Sequence, residues 1–224
     1  MGDKMHRRFD GFFVLGILIA TITRGAADET VFREDFQGKL AQGWTWLRES
    51  PSAWRATGHG LEVRALPGNM WGPPNNASNV LVRPLPSSTN AALEISVTVE
   101  NHPTEQYEQA NLVWYYDDSH MVKLGQELVD GKLSIVMGRE EKDRTRTVAI
   151  IPLNSFKLRL RLTATGNNLR GEFQLPGDER WKLAGECDLP VNGAPKASLQ
   201  TYQGPKTVER WVKFEEFRVT KHPR

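Results

Sequence analysis

Apolar and polar residues alternate with a period of two over one segment after another of this chain. Leu93, Ile95, Val97 and Val99 are separated by Glu94, Ser96 and Thr98, the pattern of a strand with one face in a core and one in solvent. Phe156, Leu158, Leu160 and Leu162 alternate with Lys157, Arg159 and Arg161. Beyond Gly166-Asn167-Asn168, Leu169, Phe173 and Leu175 alternate with Arg170, Glu172 and Gln174. These two runs predict a hairpin. Further strands are predicted over 30–36, 44–49, 60–65, 79–84, 109–117, 120–127, 132–140, 145–151, 181–188, 196–203 and 210–220. No segment carries a convincing helical pattern. Many strands of one-sided apolarity, punctuated by Asp130-Gly131 and Pro176-Gly177, predict an all-β sandwich of two antiparallel sheets packed face to face. In the last strand the rhythm slips at Glu215-Glu216, which reads as a β-bulge.

The run NLVWYYDDSHMVKLG, residues 111–125, places three aromatics side by side. Neighbours on a strand point to opposite faces, so Leu112, Trp114 and Tyr116 share one face, and Asn111, Val113 and Tyr115 the other. After the turn at Asp117-Asp118-Ser119, Val122 and Leu124 continue the apolar set, whereas Met121, Lys123, Gly125 and Glu127 point away. Trp114 and Tyr116 are therefore assigned to the core. Tyr115, Asn111, Lys123 and Glu127 are assigned to an exposed surface whose mixture of ring, amide, cation and carboxylate suits a sugar.

The first 27 residues require separate treatment. Lys4, Arg7 and Arg8 precede an apolar run from Phe12 to Ile22 and the small residues Gly25, Ala26 and Ala27, the layout of a secretory signal peptide cut after Ala27. Residues 28–224 are then a single exported domain, secreted or periplasmic. Of 29 Lys and Arg, four (Lys4, Arg7, Arg8, Arg24) lie in that leader, as do two of the 27 acidic residues (Asp3, Asp10), so the remainder carries 25 of each. Formal neutrality removes the electrostatic footprint expected of a nucleic-acid or anionic-membrane partner. The single cysteine, Cys187, excludes an internal disulfide and is expected to be buried and inert.

The segment NMWGPPNNASN, residues 69–79, sets Trp71 beside Gly72, Pro73 and Pro74. A large ring in an ordered surface loop is either a platform for a flat partner or a lid on the core edge. Asn76-Ala77-Ser78 is a glycosylation sequon. Catalytic signatures are missing. The stretch EISVTVE has Ser96 where a retaining sandwich glucanase needs Asp, and its second Glu falls one residue late. No metalloprotease, nucleophile-elbow or phosphate-loop motif occurs. His59, His102, His120 and His222 fall in predicted turns or at the terminus, where surface residence is expected. Any enzyme here would have to assemble acids from separate strands, with Glu127 and Glu49 as candidates.

FREDFQGKLAQGWTWLRESPSAWRATGHGLEVRA, NVLVRPLP, QANLVWYYDDSHMVKLGQELVDGKLSIVMGRE and WVKFEEFRV together resemble the C-terminal sandwich domain of family 43 beta-xylosidases. They equally resemble domain of unknown function 1349, within the concanavalin A-like lectin/glucanase superfamily. Asn111 departs from relatives that carry Gly there. The resemblance implies a jelly-roll of two antiparallel sheets. It implies a structural calcium between Asp35 and Glu215, the latter standing where relatives commonly carry Asp. The xylosidase propeller is absent from this sequence. Three functions follow as expectations. The first is a non-catalytic carbohydrate-binding or glycosidase-accessory module, with Arg48, Trp71, Asn111, Tyr115, Lys123 and Glu127 near the sugar. The second is a glycosidase or other sugar-modifying enzyme. The third is a structural domain gripping a protein or envelope polymer through Trp71.

Overall fold

The computed structural model describes residues 1–2, 27–87 and 91–223; apart from its ends, the signal peptide expected over 1–27 lies outside them. The strands are β1 (Glu29–Glu34), β2 (Thr45–Leu47), β3 (Trp54–Thr57), β4 (Gly60–Arg64), β5 (Val80–Pro84), β6 (Ala91–Glu100), β7 (Gln109–Asp117) and β8 (His120–Val129). They continue as β9 (Lys132–Glu141), β10 (Arg144–Pro152), β11 (Lys157–Thr165), β12 (Asn168–Gln174), β13 (Lys182–Asp188), β14 (Lys196–Tyr202) and β15 (Trp211–Pro223). The helical content among the described residues is one turn at Pro51–Ala53. One sheet has the order β13-β12-β11-β6-β15-β4-β3, with β1 also beside β15, and the other β10-β9-β8-β7-β14-β5-β2. All pairings are antiparallel.

The apolar half of each alternating strand meets its counterpart between the sheets. Leu93, Ile95, Leu160, Leu162 and Phe214 from the eight-stranded sheet join Leu112, Val122 and Leu124 from the other, all with no exposed surface. Complete burial of each such side chain contributes about 1.5–3 kcal/mol. Trp114 and Tyr116 lie in this core, in the register read from the sequence. The hairpin also forms, β11 pairing β12 from Arg159↔Gln174 to Thr165↔Asn168, with Gly166 supplying the left-handed turn residue at φ 62°. Its polar face makes cross-strand ion pairs, Arg161 reaching Glu172 at 2.7 Å and Glu94 at 3.6 Å; each such surface pair adds only tenths of a kcal/mol.

The slip at Glu215-Glu216 is a bulge with a structural purpose. β15 pairs with β4 over Trp211–Phe214 and with β1 over Phe217–Lys221, both along the edge opposite β6. The register breaks between Glu215 and Arg218, and Glu216 sits at φ 51°. One strand thus changes partner midway, and the bulge absorbs the offset. One strand escaped the sequence reading: β3 has four residues and follows a Pro-initiated turn at a sheet edge, too short for an alternation to register. Cys187 is buried, and burial pushes its thiol up to about 11.

The seven-stranded sheet is covered on its outer face as well. The connection between β4 and β5 folds across it, and Met70 and Ala77 pack on Val113, Tyr115, Met121 and Tyr202 in a second apolar cluster. This cover places the site.

Candidate functional site

Pairing across the outer face sets the rows. Tyr202, Gln109, Glu127 and Ser134 lie opposite one another on β14, β7, β8 and β9; Gln200, Asn111, Gly125 and Val136 form the next row, then Ser198, Val113, Lys123 and Gly138. Most of this polar set is buried, which corrects the expectation of an exposed surface. Asn111 has 0% exposure, Lys123 2%, Tyr115 3% and Glu127 6%. The sequence read the face correctly; a loop supplies the cover.

That loop is anchored by short polar contacts. Asn69 Nδ2 donates to the Trp71 carbonyl at 2.9 Å while the Trp71 N–H donates to Asn69 Oδ1 at 3.0 Å. Asn76 Oδ1 accepts the Asn69 N–H at 2.9 Å, so the sequon side chain holds the loop neck. The Gly72 N–H donates to Glu140 Oε2 at 3.0 Å. Trp71 can pack closely on β9 because residue 138 is glycine: a Cβ there would meet the indole at 2.4 Å.

Arg48 and Tyr115 belong to this anchorage. Arg48, at φ 52°, donates from Nε to the Ala77 carbonyl at 2.7 Å and from Nη1 to Asp118 Oδ2 at 2.6 Å. The Tyr115 hydroxyl donates to Asp118 Oδ1 at 2.6 Å. Burial, then the bond to Asp118, raise the Tyr115 pKa. Arg48 thus ties the loop at Ala77 to Asp118, and Tyr115 holds Asp118 in place.

Trp71, Lys123 and Glu127 are brought together. With Tyr107, Gln109 and Ile150 they line a cleft of about 480 Å³ open to solvent at the loop's end. Lys123 Nζ donates to Gln109 Oε1 at 2.6 Å and Glu127 Oε2 at 3.0 Å, and lies 4.6 Å from the Trp71 ring centroid. Burial lowers the Lys123 pKa, and the negative charge of Glu127 opposes that shift. Tyr107, 48% exposed, forms the rim. Asn111 sits one row deeper, its Nδ2 donating to Gln109 Oε1 at 3.2 Å. Its side chain occupies the space over Gly125, where a Cβ would come within 2.2 Å of Asn111 Oδ1.

Behind the loop stands Glu140, with 0% exposure. Burial pushes its carboxyl up to about 7, against the Gly72 N–H that stabilises the charged form. The sequence reading missed Glu140, Gln109 and Tyr202. Gln109 was within reach, since it continues the two-residue face of Asn111, Val113 and Tyr115. Glu49 does not line the cleft; it accepts the Trp54 Nε1–H at 2.9 Å, so it is not paired with Glu127.

Asp35 and Glu215 do flank one pocket, of about 270 Å³, but their carboxylates have cationic partners. Glu215 bonds to Lys157 and, at 2.8 Å, to Lys213; Asp35 bonds to Arg33 at 2.9 Å. Burial works against ionisation of Glu215, yet its lysine bonds prevail and hold its carboxyl below the ordinary range. Among the described residues no three His, Cys, Asp or Glu gather as a metal set. Calcium needs six to eight oxygens, and two carboxylates already neutralised by lysine and arginine do not fit it.

Residues 46–222 match the family described as protein of unknown function (DUF1349). The chain belongs to that family. No curated protein matches the DUF1349 chain. Among solved structures it is similar to a GH43 protein from Bacillus licheniformis, with TM-score 0.74 and 16% identity over 86% of this chain and 39% of the other. A xylan beta-1,4-xylosidase from Bacillus halodurans gives TM-score 0.72 and 18% identity, covering 89% of this chain and 41% of the enzyme. A functionally unknown protein from Saccharomyces cerevisiae gives TM-score 0.63 and 20% identity, over 81% of this chain and 97% of the other. The DUF1349 chain therefore spans about two fifths of the first two proteins, and the TM-scores establish a shared fold at low identity.

Proposed function

We propose that this DUF1349 protein is an exported, non-catalytic carbohydrate-binding module whose ligand enters the cleft beside Trp71. The observation that carries this reading is the make-up of the cleft: the Trp71 and Tyr107 side chains frame a polar wall built by Gln109, Lys123 and Glu127. Rings offer stacking surfaces for the C–H faces of a sugar, and the wall offers hydrogen-bond partners for its hydroxyls. The resemblance to domains attached to xylosidases supports a carbohydrate setting, and the leader supports a place outside the cytoplasm. The enzyme reading is weaker, because its two candidate acids, Glu49 and Glu127, do not share a cavity.

The test is retention of the purified protein on insoluble plant and algal polysaccharides. Trp71→Ala and Tyr107→Ala should each lower retention severalfold, with melting curves showing that the variants fold. Unchanged retention in both folded variants would place any ligand elsewhere. Product release from chromogenic glycosides, abolished by Glu127→Gln, would reinstate an enzyme.

A further inference from the structure

The hydrogen-bonding bias of the cleft goes further than the presence of a sugar. Resting on the reading above, we infer that its ligand is a saccharide rich in hydroxyl or ammonium donors, neutral or amino-substituted, and that uronic-acid sugars are turned away.

Lys123 is the one cation among the residues lining the cleft. Its ammonium is committed within the protein: Gln109 Oε1 at 2.6 Å, Glu127 Oε2 at 3.0 Å and the Trp71 ring centroid at 4.6 Å surround it, and 2% of the residue remains exposed. An incoming carboxylate would have to compete with Glu127 for that charge. Glu127 Oε1, by contrast, carries no hydrogen bond among the described residues and is free to accept one. Asp130 adds a second carboxylate to the lining, held by Gln106 Nε2 at 3.2 Å. Electrostatically the cleft thus presents a mutually paired Lys123 and Glu127 and one surplus carboxylate, Asp130.

The free oxygens of the lining repeat this bias, since a sugar hydroxyl or an ammonium can donate to Glu127 Oε1 and to the Asp130 carboxylate. A carboxylate, which only accepts, cannot. It would also enter a partly desolvated site against like charge, where repulsion is felt more strongly than in water.

Calorimetry on the full protein at neutral pH, with a xylose trisaccharide, a glucosamine trisaccharide and a galacturonic acid trisaccharide, tests this directly. The galacturonic acid probe is expected to bind at least about tenfold more weakly than the other two. The gap should narrow as salt screens the repulsion, and narrow about two- to threefold in Asp130→Asn, a rim change that leaves the buried Lys123–Glu127 pair intact. Galacturonate binding as tightly as the neutral probe, or a gap indifferent to both salt and Asp130→Asn, overturns the inference and leaves carbohydrate binding standing. Binding of none of the three probes by the folded protein overturns both.

Discussion

Replacing Glu140 by Gln isolates the cost of holding a carboxylate beneath the Trp71 loop. The residue has 0% exposure, its Oε2 accepts the Gly72 N–H at 3.0 Å, and its Oε1 has no partner. Asp143 and Asp118 disfavour its charge, and Lys123 favours it without prevailing over burial. The carboxyl moves from an ordinary 4.5 to about 7 in the fold. Between those values the native state binds more protons than the unfolded chain, so this group's contribution to stability falls as pH rises through the window. At about 1.4 kcal/mol per pH unit, the whole separation is worth about 3 kcal/mol above pH 7. Gln is the same size as the neutral acid and keeps a carbonyl for Gly72. Urea unfolding of wild type and Glu140→Gln should therefore agree near pH 4. Across pH 5 to 7 the curves should diverge, leaving the variant more stable by about 3 kcal/mol at pH 8. Parallel stability profiles, or a variant less stable at pH 8, would refute the reasoning.

Two further outcomes follow from the same geometry. Lys123→Met leaves Glu127, 6% exposed, buried without its partner and should cost about 3–5 kcal/mol in urea unfolding; adding Glu127→Gln should recover most of the loss, and simple additivity would show that the pair is not coupled. Thermal melts in calcium and in chelator should coincide, because lysines occupy Glu215; a calcium-dependent rise of several degrees that Glu215→Gln abolishes would restore the ion at the strand seam.

The fold was legible where one physical rule governed many residues at once. In β6, β11 and β12 apolar side chains recur at every second position, broken by Gly171, so period two gave the strands, their faces and the hairpin. The bulge showed itself because Phe214 and Phe217 both had to reach the core although they are an odd step of three residues apart. The same rule separated Trp114 from Tyr115. It could not say whether the second face met water, since exposure of a polar face depends on what folds over it. Asn111, Lys123 and Glu127 carry residue types that are mostly exposed, and the cover over them comes from the loop around Trp71, 40 to 56 residues earlier.

Two glycines carried the information that polarity hid. Gly125 and Gly138 stand inside strands, where glycine weakens a sheet and marks a place another group approaches closely. The groups that approach are Asn111 over Gly125 and the Trp71 indole over Gly138. Each glycine is thus one half of a contact whose other half is a residue already singled out for its chemistry. Asn111 fills a place over Gly125 that bare backbone would leave empty, so the depth of the polar layer depends on that single position. Trp71 on Gly138 in turn brings its ring beside Lys123 and closes one wall of the cleft. The fold fixes the sheet that carries the cleft, but these two small-to-large contacts decide how far the polar layer opens, and function is set by such local features and not by the scaffold alone.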